Sequence, residues 1–278
     1  MKKTNCILAA WILVLTFLAT SCTKDDNPAP PEVVETEPAT LTPITQNIGT
    51  GVGGYYEALP KMYAKSGWKY PLIIYLHGAG QMGNGSTAAL EVVLNEGTPK
   101  LLRDKKFPPN FKVNGNNYSF VVLMPQFKWK PSYFEVKAFV DYALANYKVD
   151  STRLYITGFS MGGQLSCEYG VVDPKRPAAI VSAAGGYIYN LPATAKPIAE
   201  NKLGVWCFHN QEDIGVSAND SKNFVAAINS FNPVYKAGLT IFTGSTSYLQ
   251  HDSWTKANDP NYRENGYNMY EWMLLFKR

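Results

Sequence analysis

Residues 154–170 constrain this chain more than any other stretch. Leu154-Tyr155-Ile156-Thr157 favour a strand and run directly into Gly158-Phe159-Ser160-Met161-Gly162, after which Gln164 to Gly170 can form a helix. A strand, a sharp turn and a helix in that order set Ser160 at a strained apex. Gly158 and Gly162 let neighbouring backbone come closer than a Cβ would allow. The serine hydroxyl is thereby pushed into the open, and the amide of Met161, at the helix N-terminus, faces any negative oxygen that forms beside it. The same small residues could serve only to pack a helix on a sheet. The flanking strand and helix are what favour an activated nucleophile.

The chain has 278 residues, of which 46% are hydrophobic and 17% charged, enough for one large α/β domain. The net charge of +4 includes Lys2 and Lys3, and nothing in its distribution calls for a nucleic-acid partner. Those two lysines precede a short apolar run from Cys6 to Leu18, which is too short to span a bilayer, and then Ala19-Thr20-Ser21-Cys22. The stretch Leu18 to Cys22 resembles a bacterial lipoprotein lipobox. That resemblance implies a signal peptide over 1–21, a lipidated Cys22 and a lipid-anchored place in the bacterial cell envelope. Residues 22–45, rich in proline, threonine and glutamate without an apolar period, are expected to be an extended tether. The catalytic domain is then 46–278.

Gly49 to Gly54 satisfies Gly-x-Gly-x-x-Gly, but Tyr55 to Leu59 continues as a strand, so no dinucleotide site is expected there. Leu72 to Leu76 and Phe120 to Met124 are near-continuous apolar runs of the kind buried on both faces of a parallel sheet. Further strands are expected at 179–183, 204–208 and 239–242, with helices at 133–147, 217–230 and 264–276. This alternation predicts an α/β fold with a mostly parallel central sheet and helices on both faces. The first apolar run ends in His77-Gly78-Ala79-Gly80-Gln81, a loop suited to supply a second oxyanion donor, the amide of Ala79.

Three histidines are available as the base. In a sheet of this kind the order along the chain is serine, acid, histidine. His77 precedes the serine, and His209 has no acid before it that follows a convincing buried strand. His251 remains. Asp213, just past the strand 204–208, is the preferred acid, with Glu212 and Asp220 as rivals; Asp252 is too close along the backbone to His251. Gln81, Gln126, Trp129 and Trp254 are candidate substrate contacts, the two tryptophans together with Tyr133 as an aromatic platform. Cys167 and Cys207 are expected to be two buried thiols. No cluster has metal-ligand spacing, and no cofactor is expected.

Taken together, Leu59-Pro60-Lys61-Met62-Tyr63, His77-Gly78-Ala79-Gly80, Pro125-Gln126, Gly158 to Gly163, His209-x-x-x-Asp213 and His251-Asp252-Ser253-Trp254 resemble one group of proteins. This is the esterase and "predicted peptidase" branch of the α/β-hydrolase superfamily, similar to the feruloyl and acetyl-xylan esterases of carbohydrate esterase family 1 and to polyhydroxyalkanoate depolymerases. The resemblance implies a Ser160–Asp213–His251 triad and oxyanion donors at Ala79 and Met161. It implies an ester-bearing polysaccharide or small-molecule ester as substrate. Asn210 and Gln250 stand where the family usually has glycine. Two other readings stay open: a serine peptidase of the prolyl-oligopeptidase type, and a catalytically silent, lipid-tethered glycan-binding protein.

Overall fold

The computed structural model describes residues 34–244 and 250–278. The expected signal peptide, Cys22 and the first part of the tether lie outside the described residues. In chain order the first elements are β1 (Thr40–Ile44), β2 (Val52–Leu59), β3 (Tyr70–Leu76), α1 (Thr87–Leu90), α2 (Gly97–Arg103), β4 (Phe111–Val113), β5 (Asn116–Tyr118), β6 (Val121–Phe127) and α3 (Tyr133–Asn146). They are followed by β7 (Val149–Phe159), α4 (Met161–Val172), β8 (Ala179–Ala183), α5 (Leu191–Glu200), β9 (Gly204–Asn210), α6 (Ala218–Asn229), β10 (Gly238–Phe242), α7 (Trp254–Ala257) and α8 (Met269–Leu274).

Among the described residues, one eight-stranded sheet runs β1-β2-β6-β3-β7-β8-β9-β10, and β4 and β5 form a separate hairpin. The pairs from β6 through β10 are parallel, while β1 and β2 add antiparallel strands at one edge. Strand side chains alternate between two cores, as a period of two requires. Leu72, Ile74 and Leu76 of β3 join Val136, Phe139, Leu165, Ile198 and Phe224 of α3 to α6 on one face. Ile73 and Tyr75 join Leu90, Leu102, Tyr270 and Met273 of α1, α2 and α8 on the other.

Two expectations change. Residues 40–44 are not tether: β1 pairs with β2 from Thr40↔Leu59 to Ile44↔Tyr55. Ahead of it Glu35 is buried and accepts the Met62 amide at 3.0 Å. An edge strand needs no continuous apolar pattern and tolerates Pro43, which is why this segment reads as linker. The helix expected over 264–276 is shorter. Asn265 and Gly266 have φ of 53° and 88°, outside the helical region, and the helix starts only where the Asn268 side chain caps the amides of Tyr270 and Glu271.

Candidate active site

The turn after β7 is tied down by its small residues. A Cβ on Gly158 would lie 2.2 Å from the Leu76 carbonyl, and one on Gly162 only 2.0 Å from it. The elbow therefore packs directly against the end of β3. Ser160 sits at φ 52°, ψ −120°, a costly conformation for a residue with a Cβ, and its amide is held by Ala183 O of β8 at 2.9 Å. Because α4 starts at Met161, the Met161 amide has no acceptor within the helix. On the neighbouring loop, Ala79 opens a single 3-10 turn closed by Gln81 N to Gly78 O at 3.0 Å. Among the described residues nothing accepts from the Ala79 amide.

The structure brings Ser160, His251 and Asp213 together from three separate loops. His251 Nε2 is 2.9 Å from Ser160 Oγ, and its Nδ1 is 2.8 Å and 3.0 Å from the two carboxylate oxygens of Asp213. The Asp213 side chain is fully buried, while that of His251 is 30% exposed. Asp213 Oδ1 also accepts the amides of Gly215 and Val216 at 2.8 and 2.9 Å. With a carboxylate on one side, His251 Nδ1 carries its proton and Nε2 offers a lone pair to the serine hydroxyl. The rival Glu212 instead accepts the Gly244 amide at 3.0 Å. The two departures from the family pattern meet: Asn210 Nδ2 donates to Gln250 O at 2.9 Å, tying the end of β9 to the residue before His251.

His77 braces the Ala79 loop. Its Nδ1 donates to Gly78 O at 2.7 Å, its Nε2 accepts the Phe127 amide at 3.0 Å, and burial pushes its pKa down to about 4. Gln126 is wholly buried: it accepts the Gly85 amide and donates to the carbonyls of Gln81 and Ala89. Gln81, also buried, donates to Val92 O at 2.7 Å. Both glutamines therefore turn their amides to the loop that carries Ala79, where the sequence reading expected them to face substrate. Trp254 is not an open platform either. It lies 9% exposed, 4.4 Å from the ring of Phe159 and edge-on to His251 at 5.2 Å, with its indole N–H on Glu96. Trp129, 45% exposed, does stand on the surface of the β6–α3 loop.

Sequence reasoning missed a small cleft of about 130 Å³ beside Met161. Gln164, Leu165 and Glu168 give it one wall at helical spacing; Lys130 and Tyr187 to Tyr189 close it from two loops. No motif marks 187–189, although two tyrosines flanking an isoleucine just beyond the Gly185-Gly186 pair after β8 were a usable sign. The reading weighed His209 only as a base and gave it no place beside Asp213, yet its Nε2 lies 3.1 Å from Asp213 Oδ2.

Residues 59–259, well over half of the chain, match the family described as phospholipase/carboxylesterase. The chain belongs to that family. It is an esterase of the α/β-hydrolase fold, with the mostly parallel, helix-covered sheet that the sequence predicts. Solved structures agree on the fold. A thermostable esterase superposes with a TM-score of 0.62 at 21% identity, over 86% of this carboxylesterase-family chain and 63% of its own. A serine-to-alanine mutant of the feruloyl esterase module from Clostridium thermocellum, complexed with sinapinate, gives 0.53 at 17% identity, covering 82% and 90%. A fluorophosphonate-binding serine hydrolase of Staphylococcus aureus, substrate bound, gives 0.51 at 13%, covering 77% and 94%. A comparison with curated protein sequences gives no significant match.

Proposed function

We propose that this esterase cleaves acyl esters of sugars, feruloyl or acetyl groups on plant-type polysaccharides or oligosaccharides, through an acyl-enzyme on Ser160. The observation that carries the reading is the unbroken relay from Ser160 Oγ through His251 to buried Asp213, at 2.9 and 2.8 Å. His251 Nε2 takes the serine proton as Oγ attacks the ester carbonyl, and Asp213 stabilises the imidazolium. The carbonyl oxygen becomes an oxyanion facing the amides of Ala79 and Met161. Collapse breaks the ester C–O bond, and the same Nε2 proton goes to the departing sugar oxygen. Water, deprotonated by His251, then attacks the acyl carbon and frees Ser160.

The cleft beside Met161 supports this substrate class. Phenolic rings at Tyr187 and Tyr189, with Lys130, Gln164 and Glu168, offer stacking faces together with hydrogen-bonding groups, a combination suited to a hydroxylated ring. An ester also has a better leaving group than a peptide amide, which demands closer positioning and a protonated nitrogen. The test compares kcat/KM for 4-nitrophenyl acetate, methyl ferulate and a proline-containing peptide amide. The esters should be turned over far faster, and Ser160→Ala and His251→Ala should each lose about 10⁴-fold or more without unfolding. Peptide turnover matching that of the esters would make the protein a peptidase, and an active Ser160→Ala would refute the mechanism.

A further inference from the structure

Asp213 receives more than the relay needs. Besides the Gly215 and Val216 amides on Oδ1, its Oδ2 faces two imidazoles: His251 Nδ1 at 2.8 Å and His209 Nε2 at 3.1 Å. We propose that His209 is a positioning residue for the relay: held neutral with its proton on Nε2, shared between Val216 O and Asp213 Oδ2, it sets how much of the carboxylate's charge reaches His251. The proposal rests on the Ser160–His251–Asp213 reading.

The tautomer follows from the partners. His209 Nε2 meets only acceptors, Asp213 Oδ2 and Val216 O at 3.0 Å, so it bears a proton. Its Nδ1 lies 2.8 Å from Ser221 Oγ, which is also 3.0 Å from Gly185 O. The serine has one proton to give. Directed to Nδ1, it leaves His209 neutral; directed to Gly185 O, it would require a proton on Nδ1 as well and hence a buried cation. His209 and Ser221 are both fully buried, and that burial pulls the His209 pKa down, so the neutral form is favoured.

The ionisable groups on and behind the ring come from five segments. Asp213 lies on its own loop, His251 after β10 and Asp220 in the first turn of α6. Beyond Ser221 lies the Cys207 thiol of β9, in contact with Cys167 of α4. Burial pushes the Asp220 carboxyl up from its ordinary value, but no hydrogen bond or ion pair among the described residues joins Asp220 to the His209 ring. Asp213 is thus the anion that His209 contacts directly. A carboxylate that loses a charge-assisted donor becomes more basic, and an imidazole paired with it holds its proton more tightly.

The test is the pH profile of kcat/KM for 4-nitrophenyl acetate in wild type, His209→Leu and His209→Gln, with Ser160→Ala as control. In His209→Leu the acid limb should move up by roughly half to one pH unit and kcat fall about tenfold, with KM within about twofold. Glutamine, which places an N–H near the Nε2 position, should restore the limb. A His209→Leu limb superimposing on wild type overturns the proposal, even if kcat falls. Should the leucine variant not fold, ¹⁵N NMR of the wild-type imidazoles decides it: Nε2–H is expected, and a proton on Nδ1 alone overturns it. An active Ser160→Ala would signal failure of the underlying mechanism. A dead Ser160→Ala with an unmoved His209→Leu limb would sink only this inference.

Discussion

At the scale of single residues, the three histidines have three different tasks, and burial separates them. His77 is 0% exposed, and that burial, against the opposing pull of its bond to Gly78 O, holds its pKa near 4, well below the ordinary imidazole value of about 6.5 in the unfolded chain. Between those values the unfolded state binds the extra proton. Stability is therefore intact above about pH 6.5 and erodes as pH falls towards 4, by about 3 kcal/mol for this group alone. His209, lowered by burial as well, acts in the same direction. Urea unfolding at pH 7 and pH 4.5 should show His77→Gln losing less stability on acidification than wild type; equal losses would refute the assignment. Ser160, Asp213 and His251 were legible as a set because a serine elbow and a fixed chain order leave few choices. Gln126, Gln81 and Trp254 were misplaced because sequence shows only that they adjoin the loops. It does not show that a buried amide can serve the backbone around it, or that an indole can back a histidine from beneath.

At the scale of elements, strands buried on both faces were easy to read, since β3, β6, β8 and β9 are short apolar runs bounded by turns. Elements at the margins were not. β1, with only half-buried and exposed positions, carries no apolar signature, and its membership depends on β2 accepting it. The hairpin β4–β5 and α5 were also passed over, each too short or too proline-rich to show a period. A consequence follows for where the domain begins. A chain starting at residue 34 should melt like the full protein, whereas one starting at 46 removes β1 and the Glu35–Met62 bond and should melt lower by about 5 °C or more. Identical melting temperatures for the two would show that β1 contributes no stability.

At the scale of the whole molecule, we read the chain as a lipid-tethered envelope enzyme, on the pattern Leu18 to Cys22 alone. Cys22→Ala should move it from the membrane fraction to the soluble one or block its processing. Mass spectrometry of the mature N-terminus checks this, and an unmodified terminus at Thr23 would contradict it. The order of the sheet has a different kind of consequence, one of timing. β7 lies between β3 and β8, and its pairing with β3 joins Leu72 to Leu154 and Leu76 to Gly158 across a long intervening chain. Closing contacts so distant in sequence is slow. Until both neighbours arrive, its buried half, Leu154 to Phe159, has a bare apolar edge, the kind of surface on which other chains assemble. A strand paired on both edges in the finished molecule is thus a hazard during synthesis. How much active protein a cell obtains should then depend on the rate of that closure as well as on the stability reached at the end.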